Sequence, residues 1–324
     1  MTEPRFALSG ASRRKLLGAV GVSVVGLSLP ALFRGGPMAV SAAPIGRELR
    51  TVRPGRLVVA ATGDMPMFAL RDGKPIGADA EMMARICDSL GLKMQIEVME
   101  WAACLASVTS GRADCVGGNT AWTEKRSRVM LMTDEVYFTG NYAAMKADKP
   151  FGGEIRIEDF KGYSVGSGSG FSMVPDLRRI PGISQLKLYD TIDATLRDVV
   201  AGRLDFAVLD APIVDYVIGL NRGWGLKQVR IARNPDYPII GRPQHSIWGM
   251  SPTNHQLYDA VNAGIAWLWR TGQVADILRR YGMSDPGYLE RPVDSPRVGF
   301  DRDEKGRLTG PFAHPITDYS NLFK

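Results

Sequence analysis

The chain has 324 residues, of which 45% are hydrophobic and 23% charged, with 36 Gly, 20 Pro and 3 Cys. This is globular composition with length enough for two domains, and it excludes a disordered acidic tail, a collagen-like repeat and a disulfide scaffold. The formal net charge of +6 does not mark a nucleic-acid partner, because most of the excess comes from Arg5, Arg13, Arg14, Lys15 and Arg34, with only Glu3 against them.

Those charges belong to a leader. Residues 1–11 are mostly polar or small, Ser12-Arg13-Arg14-Lys15 follows, and an apolar, Gly-rich run extends over residues 16–33 before the small residues Ala39, Ser41, Ala42 and Ala43. A charged start, an apolar middle and a small-residue cleavage site make a signal peptide, read here as residues 1–42. Paired arginines directly before the apolar run resemble a twin-arginine signal, which addresses folded proteins for export in bacteria. Gly18, Gly21, Gly26 and Pro30 leave the run short and weakly apolar for a permanent membrane span. The expectation is a soluble, periplasmic mature protein.

The mature chain reads as alternating strands and helices. Residues 56–62 are apolar and β-branched and end at the Gly63-Asp64 turn. From Asp79, the residues Met82, Met83, Ile86, Cys87 and Leu90 recur at helical spacing until Gly91. Residues 93–99 alternate as a strand, 102–109 are helical, and 113–116 form a strand entering Gly117-Gly118. The pattern restarts with a strand at 163–166, a Gly/Ser loop at 167–170 and a helix from about Ser172. Strands at 185–189 and 204–209 flank a helix at 192–201, and the second strand ends at Asp210. A strand at 243–250 and two helices, through Leu257 to Leu268 and from Val274 to Tyr281, complete the set. This alternation predicts two α/β units with doubly wound, mainly parallel sheets, joined near residues 146–153. The last 40 residues are polar and Pro-rich, an irregular wrap or tail.

Cys87, Cys104 and Cys115 show no CxxC, and His245, His255 and His314 are the only histidines, so no metal-ligand spacing is present and no metal or cofactor is expected. The cysteines read as buried thiols, with a Cys104–Cys115 bridge as the alternative.

Five motifs then fall in one order: Gly63-Asp-Met-Pro-Met-Phe68; Asp72-Gly-Lys-Pro-Ile-Gly-Ala-Asp-Ala-Glu81; Ser110-Gly-Arg-Ala-Asp114 followed by Thr123-Glu-Lys-Arg126; Ala201-Gly-Arg-Leu-Asp205 running to Asp210; and Asp276-Ile-Leu-Arg-Arg-Tyr-Gly282. With these, residues 56–282 resemble the family 3 extracellular solute-binding proteins, the polar amino-acid receptors of ABC importers. The resemblance implies a periplasmic-binding-protein type II fold, with two lobes and a two-segment hinge. Lobe one would span 55–147 and 243–285, lobe two 148–242, and the C-terminal extension 286–324. It also implies a monomer that closes on a small-molecule ligand, an amino acid or similar zwitterion, and delivers it to an ABC permease in the inner membrane.

A free amino acid presents a carboxylate and an ammonium on one carbon, so its receptor needs a fixed cation and a fixed anion. Arg126 matches the family's carboxylate clamp, a guanidinium fork able to bind both oxygens; the alternative is a solvated surface arginine like Arg128. Asp210 matches the ammonium-binding aspartate; the alternative is a helix N-cap before Ala211-Pro212. Backbone donors around Asn119 and Ala121, and at the helix start by Phe171 and Ser172, would complete the carboxylate site. Ala121 and Phe171 replace the hydroxyl and small polar residues common there, and Met65 stands where an aromatic often stacks on the ligand. Trp101 and Trp122 are candidate wall residues. Two other classes remain open. Periplasmic cyclohexadienyl-type dehydratases share the fold, and Asp64, Glu100 and His245 are the groups the cleft would offer for acid–base work, although no catalytic residue stands out. A sensor or accessory module with a degenerate cleft is the third.

Overall fold

The computed structural model describes residues 48–292 and 297–324. The leader read over residues 1–42 lies outside the described residues. Among those described, no helix is long and apolar enough to cross a membrane.

Strand β1 (Arg56–Ala61) is buried on both faces, as its unbroken apolar run requires. Leu57, Val59 and Ala61 pack with one apolar cluster and Val58 and Ala60 with another. A small hairpin, β2 (Ala69–Arg71) with β3 (Lys74–Ile76), leads into helix α1 (Ala78–Leu90). The helix starts at Gly77, where φ is +120° and a Cβ would stand 2.1 Å from the Met67 carbonyl oxygen, so only glycine fits. It stops at the left-handed Gly91. Next come β4 (Lys93–Val98), α2 (Trp101–Thr109), β5 (Cys115–Ala121), the single-turn α3 (Glu124–Ser127), β6 (Leu131–Met132) and β7 (Tyr137–Thr139).

The chain then enters a second sheet with β8 (Asn141–Lys146) and β9 (Glu154–Ile155), followed by β10 (Ser164–Gly168), α4 (Val174–Leu177), β11 (Gln185–Tyr189), α5 (Ile192–Val200), β12 (Phe206–Asp210), α6 (Ala211–Leu220) and β13 (Leu226–Ile231). It returns with β14 (Gln244–Met250), α7 (His255–Arg270) and α8 (Gln273–Arg280).

The first sheet runs β4-β1-β5-β14-β6, with β7 also on β14; the second runs β11-β10-β12-β8-β13-β9. In each, three parallel strands are built alike: β1 lies between β4 and β5, and β10 lies between β11 and β12. An antiparallel strand follows each crossing of the chain, β8 beside β12 and β14 beside β5. This is the two-lobed α/β fold expected.

Some boundaries differ from the sequence reading. The first crossing falls at Gly140, before β8, and not at residue 147. Asn141–Lys146 pairs antiparallel with both β12 and β13, so its backbone groups are satisfied only in the second sheet; the polar stretch after it is a turn within lobe two. The Gly/Ser loop shortens because Ser167 and Gly168 pair with Leu188 and Tyr189. The helix expected from Ser172 is one turn, Val174–Leu177, with Pro181-Gly182 close behind it. All three cysteines are buried and unpaired, so the alternative Cys104–Cys115 bridge is not formed. Burial pushes the Cys87 and Cys104 thiols up to about 12.

The C-terminal extension is anchored by buried charge. Arg297, Asp301 and Arg302 are at most 6% exposed. Arg297 donates to Asp301 at 2.6 Å and to the Thr133 carbonyl at 2.8 Å; Arg302 donates to the Met132 carbonyl and to the Tyr258 hydroxyl. Farther on, Asp259 accepts from the backbone N–H of Thr317 and lies 3.0 Å from His314, while Tyr319 and Phe323 join the lobe-one core.

Candidate functional site

The carboxyl ends of the parallel strands in both sheets converge, the usual place for ligands in open α/β sheets. In lobe one, β5 ends in Gly117-Gly118-Asn119, with Asn119 at φ +58°. Asp79, in the first turn of α1, holds this bend through the backbone N–H groups of Gly118 (2.6 Å) and Asn119 (3.2 Å). Its carboxyl is pushed up to about 6 by burial, against those two bonds. The Asn119 side-chain oxygen accepts from Thr139 (2.9 Å) and Ser246 (2.5 Å), and its Nδ2 is buried with no protein partner among the described residues.

Thr123 then caps α3 by accepting the Arg126 backbone N–H at 3.1 Å, which turns Arg126 back toward the end of β5. Arg126 is 8% exposed, unlike its exposed neighbour Arg128. It donates to the Ala121 carbonyl (2.7 Å) and, across the cleft, to the Gly170 carbonyl of lobe two (3.2 Å). Its guanidinium lies 5.2 Å from the centre of the Trp101 ring. Burial lowers its pKa to about 10, and Asp210 opposes that shift.

In lobe two, Asp210 ends β12 and opens α6 just before Pro212, but its side chain makes no cap hydrogen bond. The carboxylate accepts instead from Asn141 Nδ2 at 3.0 Å. Burial pushes its pKa up to about 7; Arg126 and Asn141 act against the rise, and Asp64 adds to it. Asp64 is itself raised by burial and by Asp193. The cleft therefore holds one buried cation facing a carboxylate poised near neutrality.

Trp101, Gly118, Asn119, Ala121, Arg126, Phe171, Ser172, Met173 and Asp210 line one shared cavity of about 20 Å³. Seven of the eight predicted site residues are among them. Met65 is the exception. It sits in the turn after Gly63, and the aromatic wall comes from Trp101 and Phe171, which meet edge to face with centroids 6.3 Å apart. Gly168 makes room for this wall, since a Cβ there would stand 2.4 Å from the Phe171 ring. Trp101 also donates to the Gly170 carbonyl at 3.3 Å, so two lobe-one side chains grip one lobe-two oxygen. A volume near 20 Å³ holds about one water. A solute the size of an amino acid enters only when the lobes part.

Two further predicted residues lie elsewhere. Trp122 points away from the cavity to the extension, donating to Asp301 at 3.0 Å and packing on Phe300. His245, proposed as a cleft group, instead lines a separate cavity of about 890 Å³ between α7 and the extension. It is 2% exposed and lies 2.9 Å from Glu135. Burial alone would raise the Glu135 carboxyl, but His245, Arg297 and Arg291 outweigh it and hold the group well below the usual carboxylate range. Glu100 is exposed at the start of α2. Among the described residues, no group of three His, Cys, Asp or Glu side chains is placed to hold a metal ion. Sequence reading missed Asn141, Gln244 and the Gly170 carbonyl, whose partners are far away in the chain.

Comparison with known proteins adds the following. The model of the bacterial extracellular solute-binding proteins, family 3, matches residues 57–284. The probable amino-acid-binding protein YxeM of Bacillus subtilis is 27% identical over 153 residues, which is 46% of this chain and 57% of that protein, so the match spans little more than half of that relative. The L-cystine-binding protein TcyJ of Escherichia coli K12 is 25% identical over 284 residues, covering 86% of this chain and 98% of TcyJ. Among solved structures, the substrate-binding protein of an amino-acid ABC transporter superposes with a TM-score of 0.62 at 20% identity, covering 70% of this chain and 99% of that one. A histidine kinase sensor domain similar to periplasmic binding proteins gives a TM-score of 0.63 at 25% identity, covering 75% of this chain and 99% of that one.

Proposed function

The chain belongs to the bacterial extracellular solute-binding proteins, family 3, and from that premise we propose that it is the amino-acid receptor of an ABC importer. One observation carries this reading. Arg126 from lobe one and Asp210 from lobe two line the same cavity, the pairing of charges that an α-amino acid requires. The guanidinium takes the ligand carboxylate, with unpaired donors in the Asn119 region beside it, and Asp210 takes the ammonium. Closure of the lobes then desolvates both ion pairs, which strengthens them. Asp210 and Arg126 bind and orient, and no residue of the cleft is assigned a catalytic role.

The mature protein begins near Ala43 after removal of the leader, acts in the periplasm as a monomer and passes its ligand to an inner-membrane permease. Export follows the twin-arginine route; changing Arg13 and Arg14 together to Lys blocks it, and continued export of that variant would refute the route.

The test of the binding reading is a thermal-shift screen of amino acids, dicarboxylates and prephenate, with a turnover assay on every hit and calorimetry on variants. Truncating one partner of a desolvated, hydrogen-bonded ion pair costs about 2–5 kcal/mol, roughly 30- to 4,000-fold in affinity. Arg126→Ala and Asp210→Ala each lose amino-acid binding by such a factor. If Asp210→Ala binds the best hit as well as the parent does, the ligand is not held by its amine. Turnover of prephenate would replace the receptor reading with the dehydratase one.

A sensory role is the second reading, favoured by the likeness to the kinase sensor domain. Under it the same cleft closes on a solute, but deletion of the gene abolishes a response to that solute and leaves its uptake intact.

A further inference from the structure

Each crossing between the lobes ends in a buried side-chain amide, and the two amides touch. Asn141 is the first residue of β8 and 1% exposed; Gln244 is the first residue of β14 and 7% exposed. Asn141 pairs through its backbone with Asp210 in the second sheet, and Gln244 pairs with Thr139 in the first. Their side chains form a chain of three: Gln244 Nε2 donates to Asn141 Oδ1, and Asn141 Nδ2 donates to Asp210.

An amide has a donor end and an acceptor end, so the direction of such a chain is set by its terminal group. An ionised Asp210 only accepts. Asn141 must therefore turn its NH₂ toward Asp210 and its oxygen toward Gln244, and Gln244 must donate. That leaves Gln244 Oε1 facing no donor, and it is in fact buried without a partner among the described residues. A protonated Asp210 would donate to Asn141 Oδ1. Asn141 Nδ2 would then meet Gln244 Oε1, and the unpartnered end of the chain would pass from Gln244 Oε1 to its Nε2. The chain thus has two self-consistent directions, and the charge on Asp210 selects between them.

We propose that Asn141 and Gln244 are positioning residues that relay the charge state of Asp210 to both hinge crossings. This rests on the reading of Asp210 as the ammonium-binding group: a ligand cation keeps the carboxylate ionised and so holds both hinge amides in one orientation. The charged groups that act on Asp210 are Arg126 from α3 and Asp64 beyond β1, with Asp193 behind Asp64. Next to Gln244, the ring of His245 is turned toward Glu135.

The relay is tested in the ligand-free protein, so its failure is separate from failure of the ligand reading. Side-chain NH₂ resonances of Asn141 and Gln244 are followed by NMR against pH. Both are expected to shift together, with the midpoint of Asp210 near 7, and to stop shifting in Asp210→Asn. Gln244→Met, which removes the outer amide, is expected to move the Asp210 midpoint by about half a unit. The proposal is overturned if the Gln244 resonance is indifferent to pH while that of Asn141 moves. It is equally overturned if both still move in Asp210→Asn, or if Gln244→Met leaves the Asp210 midpoint where it was.

Discussion

Trp101 offers the sharpest test of how the cleft closes. Its indole N–H reaches the Gly170 carbonyl across the cleft at 3.3 Å, beside the Arg126 bond to the same oxygen at 3.2 Å. Trp101→Phe removes that hydrogen bond and keeps a ring against Arg126 and Phe171. A neutral hydrogen bond contributes about 0.5–1.5 kcal/mol net, and at this length the lower half of the range applies. The closing equilibrium should therefore fall about two- to fivefold. Trp101→Ala also removes the stack under the guanidinium, worth about 0.5–2 kcal/mol, and the edge-to-face contact with Phe171, about 0.5–1.5 kcal/mol. Together these reach about 2–4 kcal/mol, or roughly 30- to 1,000-fold. Part of that falls on the folding of lobe one, where Trp101 packs with Val58, Cys104 and Val108, so the Phe variant is the cleaner probe. Calorimetry with the best amino-acid hit reads the affinity, and solution scattering reads the radius of gyration with and without it. Affinity follows the closing equilibrium as long as the free protein is mostly open. If Trp101→Ala binds within about twofold of the parent, the Gly170 turn is not held through Trp101, and the account of closure fails.

Three other outcomes follow from the buried charges. Because Asp210 must be ionised to hold an ammonium and its pKa is raised to about 7, amino-acid affinity should fall about tenfold per pH unit below 7; calorimetry in buffers of different ionisation enthalpy should detect the proton released on binding. Asp79 is a carboxyl raised by burial to about 6 from 3.8, so its favourable contribution is complete below about 4 and is lost as pH rises through 6, a loss of about 3 kcal/mol. Asp79→Asn keeps an acceptor for Gly118 and Asn119, and denaturant titrations should show a flatter pH profile between 4 and 6; an unchanged profile would mean that Asp79 is not the group responsible. Asp301→Ala removes one of the two carboxylates beside the buried Arg297, leaving Glu135 at 3.5 Å, and takes away the acceptor of the Trp122 indole N–H. The cost is about 2–3 kcal/mol, which should lower the thermal midpoint by on the order of 5 °C.

What the sequence determined by itself was the order of elements and the two charges of the cleft. Apolar spacing in α1 and the unbroken apolar run of β1 are local signals, decided by residues within one turn or one strand. Arg126 and Asp210 were found through the resemblance of Thr123-Glu-Lys-Arg126 and of the segment from Ala201 to Asp210 to the family's motifs, and the fold sets the first behind the Thr123 cap and the second at the last position of β12. The tertiary structure decided the rest. Composition placed the first crossing at the polar residues after Lys146, yet backbone pairing with β12 and β13 placed it at Gly140. Of the two tryptophans read as candidate walls only Trp101 lines the cavity, together with Phe171, and Met65 stays outside it, because the walls of a closed cleft are set by which lobe-two turn meets which lobe-one helix. His245 and Trp122 were drawn out of the cleft by Glu135 and by Asp301 of the extension. Asn141 and Gln244 lie 103 residues apart and belong to no shared motif or period. A polar side chain in a strand does not announce its partner; that partner exists only once two crossings of the chain have brought both amides beside Asp210 and removed the water that would otherwise satisfy them.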